Sequence, residues 1–133
     1  MFEKFNFSPR QINYYFSAAA RDFKIASDFA VPEVIFKFSY DSLIKLAIAV
    51  CAKNGLRVKA RVGHHIELLG KLSEFIGSKD IETIGNKMRK KRNMDLYEGG
   101  VLISEKEAEE YKNWLKTVFS KAEENIFGVK KLL

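Results

Sequence analysis

A chain of 133 residues with 47% apolar and 30% charged side chains holds enough hydrophobic material for one core, because a domain of this size hides roughly two thirds of its unfolded surface and needs no disulfide or metal staple. The single cysteine, Cys51, excludes an internal disulfide, a Cys-x-x-Cys redox motif and a zinc–thiolate cluster, and points to a reducing, cytoplasmic location. The longest apolar run, residues 46–52, is far short of the ~20 residues of a membrane span, and the first ten residues lack the continuous apolar stretch of a secretion signal.

The net charge of +6 is unevenly placed. Residues 1–42 hold 5 basic and 5 acidic side chains, residues 43–100 hold 12 and 6, and residues 101–133 hold 6 and 6, so the whole excess lies in the middle. Two acid-free clusters carry it: Lys53, Arg57, Lys59 and Arg61, then Lys87, Arg89, Lys90, Lys91 and Arg92. Such clusters attract RNA or nucleotide phosphate, or serve only as a solvated face.

In chain order, Ser8-Pro9-Arg10-Gln11 is a capping box with proline at the first helical position, and Ile12, Tyr15, Phe16, Ala19, Phe23, Ala26 and Phe29 follow at helical steps. A second helix opens at Pro32-Glu33. Its apolar residues, Phe36, Tyr40, Leu43, Ala47 and Val50 with Ile35, Phe38, Leu46 and Ile48, cover nearly every face, which predicts the most buried element. Only Lys37, Asp41 and Lys45 form a polar stripe, at i, i+4 spacing. Asn54-Gly55 ends this helix and a basic loop leads to Gly63. A third helix is predicted over residues 64–76, and a shorter fourth begins near residues 78–80 with Ile81, Ile84 and Met88 inward. Gly99-Gly100 break the chain, and Ser104-Glu105-Lys106-Glu107 is a second capping box opening the last helix. No segment alternates in the manner of a strand. The expected fold is therefore all-α, an up-and-down bundle of four long helices plus a short one in a single domain over residues 1–133.

The residue patterns for chemistry are few. Gly-x-Ser-x-Gly and the phosphate-binding P-loop are both absent, so no hydrolase or NTPase of those kinds is expected, and no cofactor is called for. His64 and His65 are adjacent, about 100° apart on a helix, rather than at the spacing of a zinc pair, so no metal is expected. Either one histidine packs or caps at the start of the third helix while the other is wet, or they donate to phosphate and act as acid or base. The inward stripe of the fourth helix continues from Met88 onto Arg92. A guanidinium in that place is either salt-bridged to Asp95 or Asp41, or is a cleft arginine gripping phosphate.

Over residues 11–125 the chain resembles a HEPN domain of the short prokaryotic kind. The resemblance rests on Ser17-Ala18-Ala19-Ala20-Arg21-Asp22, on Phe38-Ser39-Tyr40-Asp41-Ser42-Leu43-Ile44-Lys45, on Gly63-His64-His65, and on the run from Arg89 to Tyr97. It implies an up-and-down helical bundle, a homodimer, and a role either as a ribonuclease toxin of a toxin–antitoxin pair or as the companion of a minimal nucleotidyltransferase. Family ribonucleases carry an arginine, a polar neighbour and, further on, a histidine. Arg92 and Asn93 match the first two, and the histidine slot falls on Tyr97. A phenol titrating near ~10 is a poor proton shuttle at pH 7. The expectation is thus a nucleotide- or RNA-binding module whose binding set is Arg92, Asn93 and Tyr97 with Asp95, Lys91, Arg89, Asp41 and Lys45. The alternatives are a metal-independent ribonuclease using Arg92 with His64 or His65, and a non-catalytic helical domain that binds another protein.

Overall fold

The capping box at Ser8 forms as expected. Its hydroxyl accepts from the Gln11 backbone N–H at 3.1 Å, and the Gln11 side chain accepts from the Ser8 N–H at 2.8 Å, which starts helix α1 (Pro9–Asp28). The computed structural model describes residues 2–60, 62–97 and 103–128, and of residues 95–97 the backbone. The expected break at Gly99-Gly100 and the side chain of Arg61 lie outside the described residues.

Helix α2 (Pro32–Lys53) is the core element the sequence predicts. Ile35, Tyr40, Leu43, Leu46, Ala47 and Val50 are all buried, and the helix touches every other helix of the described residues. Against it pack α3 (His64–Ile76), α4 (Lys79–Tyr97) and α5 (Glu105–Phe127) as well as α1. Leu43, Leu46, Leu68, Leu69, Leu72 and Leu115 are fully buried across these interfaces, each contributing about 1.5–3 kcal/mol of hydrophobic stabilisation. Among the described residues the chain is mostly helical, and no helix is long and apolar enough to cross a membrane.

Three expectations need correction. Residues 56–58 are not loop: Leu56–Val58 (β2) pairs antiparallel with Phe2–Lys4 (β1), Phe2 opposite Val58. The pairing places Glu3 against Arg57, and the resulting ion pair neutralises one member of the first basic cluster. The fourth helix is not the short one. α4 runs 19 residues whereas α3 has 13, because the basic run after Met88 propagates the helix although it carries few apolar residues. The second capping box forms by half. Ser104 accepts from the Glu107 N–H at 3.0 Å, but the Glu107 carboxylate is engaged by Lys91 of α4 at 3.1 Å instead of returning to the backbone.

The α3–α4 hairpin sets up the site described next. Gly77 adopts φ 77°, a left-handed conformation open to glycine, and its N–H and that of Ser78 both cap Ser73. The tight turn folds α4 back along α3. At Gly85 the two helices approach so closely that a Cβ would lie 2.7 Å from a Leu69 methyl.

Candidate functional site

Folding back of the hairpin brings the first turn of α3 beside the last turns of α4, both over the middle of α2. Tyr40 of α2, His64 and His65 of α3, and Arg89 and Arg92 of α4 form one cluster. The Tyr40 hydroxyl lies 2.8 Å from His65 Nδ1, the two imidazole rings stand edge to face at 4.5 Å, and the Arg92 guanidinium carbon lies 5.6 Å from the centre of the Tyr40 ring. A cation–π contact of a partly desolvated guanidinium with a ring is worth about 0.5–2 kcal/mol.

The protonation states follow from burial. Tyr40 exposes 0% of its surface, so no bulk water can take its hydroxyl proton, and an orphaned donor there would cost about 1–3 kcal/mol. Its one acceptor among the described residues is His65 Nδ1. The phenol therefore donates, and the proton of the neutral imidazole sits on Nε2. Burial pushes the Tyr40 phenol up to about 12 despite the opposing pull of Arg92 and Arg89. Burial likewise lowers His65 to about 4, assisted by the charges of His64, Arg92 and Arg89 and opposed by Asp41. At neutral pH the Tyr40 phenol and the His65 imidazole are uncharged, beside the positive charge of Arg89 and Arg92.

Of the two tethers considered for Arg92, Asp41 does not serve. Its carboxylate pairs with Lys37 at 3.1 Å, one helical turn back on α2. The Asp95 side chain lies outside the described residues. Among the described residues Arg92 makes no ion pair and is half-buried. Asn93, the next residue, is also half-buried, and Arg89 donates to Asn86 at 3.0 Å.

Two other members of the expected binding set are drawn elsewhere. Lys45 reaches Asp22 of α1 at 2.7 Å, and Lys91 reaches Glu107 of α5. Lys45 shares a stripe with Lys37 and Asp41 on paper, but each i, i+4 step turns about 40° around the helix. Two steps carry it onto the α1 side, where the nearly buried Asp22 carboxylate requires a cation. Tyr97 falls in the last turn of α4, its side chain outside the described residues. Neither histidine caps α3 through its side chain: Gly63 occupies the N-cap.

No protein-family model, curated protein or solved structure matches the chain. The chemistry of the cluster must therefore be read from its own atoms. The residue that sequence reasoning missed is Tyr40, which fits the apolar period of α2 and was indistinguishable there from a hydrophobe. One signal was present: a tyrosine amid aliphatic residues needs a polar partner for its hydroxyl once buried. The cluster offers a guanidinium, a second arginine one turn earlier and a neutral imidazole N–H, a donor set suited to an oxyanion.

Proposed function

We propose that the chain is a HEPN-type binding module that holds the phosphate of a nucleotide or RNA at Arg92, Arg89 and His65, with Asn93 and Tyr97 extending the site along α4. It acts as a homodimer and as the companion of a minimal nucleotidyltransferase or a component of a toxin–antitoxin pair, as the resemblance implies. The observation that carries the reading is Arg92: a half-buried guanidinium lying against the Tyr40 ring, with no described carboxylate to neutralise it. A charge kept partly out of water, with no counter-ion among the described residues, suits an anionic partner. Fluorescence anisotropy with labelled single-stranded RNA and with labelled nucleotide tests it. Loss of a charge-assisted contact worth about 1.5–3 kcal/mol should weaken binding roughly ten- to hundredfold in Arg92→Ala. Equal affinity of Arg92→Ala and the native protein would remove the proposal.

The ribonuclease reading gains from one fact: folding brings His65 and Arg92 to the same ring of Tyr40. What weighs against it is the state of that histidine. Held neutral down to about 4, it is a weak base and cannot serve as the acid at pH 7. Incubating the protein with total RNA in EDTA separates the readings: intact RNA supports a binding module, whereas cleavage lost in both Arg92→Ala and His65→Asn supports the enzyme.

A further inference from the structure

The anion site just proposed has a support in the buried tyrosine of α2. Tyr40 is in direct contact with two of its donors, and it meets them in different ways: the ring face carries Arg92 and the hydroxyl engages His65. It is also completely buried in the middle of α2, the helix that all others pack on, so it cannot move without disturbing the core. By contrast, His65 and Arg92 are each half-exposed, on the two helices α3 and α4 that the hairpin turn folds against one another.

The two nitrogens of an imidazole point in nearly opposite directions. Whichever one is held by the phenol, the other is turned away from it, and the phenol decides which of them bears hydrogen. We propose that Tyr40 is the positioning residue of the site: its hydroxyl fixes His65 as the Nε2–H tautomer, a neutral hydrogen-bond donor for phosphate oxygen beside the guanidinium that its ring supports. This inference rests on the phosphate-binding reading above and assigns the recognition chemistry within it, with charge attraction coming from arginine and a directed, uncharged N–H from histidine.

The same contact resists protonation of His65, since an Nδ1–H would leave the buried phenol without an acceptor. The groups facing the imidazole are Tyr40 and Asp41 of α2, His64 of α3, and Arg89 and Arg92 of α4. Tyr40→Phe keeps the ring, its burial and its contact with Arg92, and removes only the hydroxyl.

The test is nitrogen-detected NMR of the histidine side chains across pH, with inorganic phosphate and adenosine monophosphate as probes. In the native protein at pH 7, His65 should show hydrogen on Nε2 and a bare, hydrogen-bonded Nδ1. In Tyr40→Phe its titration midpoint should move upward by a pH unit or more, and phosphate affinity should fall about threefold to tenfold with helicity unchanged. Hydrogen on Nδ1 in the native protein would overturn the assignment without any variant, and so would an unchanged midpoint in a folded Tyr40→Phe. Arg92→Ala separates the two levels of argument: if it binds phosphate as well as the native protein, the anion site itself fails. If it loses binding while Tyr40→Phe leaves midpoint and affinity alone, the site stands and the positioning role fails.

Discussion

Acidification should destabilise this protein through one imidazole in particular. An unfolded histidine titrates near ~6.5, whereas His65 in the folded chain is lowered to about 4, first by burial and then by His64, Arg92 and Arg89. The folded state therefore binds fewer protons than the unfolded state between those values. Stability is complete above pH ~6.5 and is lost progressively as pH falls towards 4, with no further loss from this group below that. A gap of about 2.5 pH units corresponds to roughly 3 kcal/mol at most, and water reaching the half-buried ring reduces this to about 1–2 kcal/mol. Urea denaturation at pH 7, 5.5 and 4 measures it, with His65→Asn as the reference. The Asn Oδ1 stands where Nδ1 stood and can still accept from Tyr40, but it does not titrate. The native protein should lose about 1–2 kcal/mol more than His65→Asn between pH 7 and pH 4. Parallel stability profiles for the two proteins would refute the reasoning.

Lys45→Ala strands the Asp22 carboxylate, whose side chain is only 5% exposed, and should cost about 2 kcal/mol by denaturation, most of it recovered when Asp22→Asn is added; a loss under about 0.5 kcal/mol would contradict the pairing. Gly85→Ala gains about 1 kcal/mol of helix preference but drives a Cβ to 2.7 Å from the fully buried Leu69, so overpacking should leave a net loss of about 1 kcal/mol and a lower Tm, where an ordinary helical site would show a rise. Cys51 is buried and its thiol is pushed up to about 12 by burial, so alkylation of the native protein at pH 8 should be limited by unfolding; labelling as fast as in denaturant would exclude that placement.

The elements readable in the sequence are those governed by local chemistry. Ser8-Pro9 starts α1, Gly77 stops α3, and an all-round apolar pattern makes α2 the buried centre. The strand pair escaped because each strand has three residues, too few to show alternation, and its register joins Phe2 to Val58 across more than fifty positions. At the site, Arg92 stood out as a charge where the stripe called for a hydrophobe, and the adjacent histidines were visible as candidate phosphate donors. Their proximity to each other was not, since it depends on the hairpin at Gly77 and the close approach at Gly85. Tyr40 was hidden by its own hydrophobicity. The ion pairs of Lys45 with Asp22 and of Lys91 with Glu107 were not legible, because a helix face read from spacing alone says nothing about the acids on neighbouring helices.

The central claim is that Arg92 meets a phosphate, and the salt dependence of RNA binding tests it most directly. For a single strand the slope of log affinity against log salt falls by about 0.7 for each phosphate contact removed. Arg92→Ala should bind more weakly than the native protein at every salt concentration and with a slope shallower by roughly that amount. An unchanged slope and affinity, with the loss appearing instead in Lys87→Ala or Lys90→Ala on the exposed face of α4, would show that RNA meets only a solvated basic surface and that the guanidinium on Tyr40 serves the fold alone.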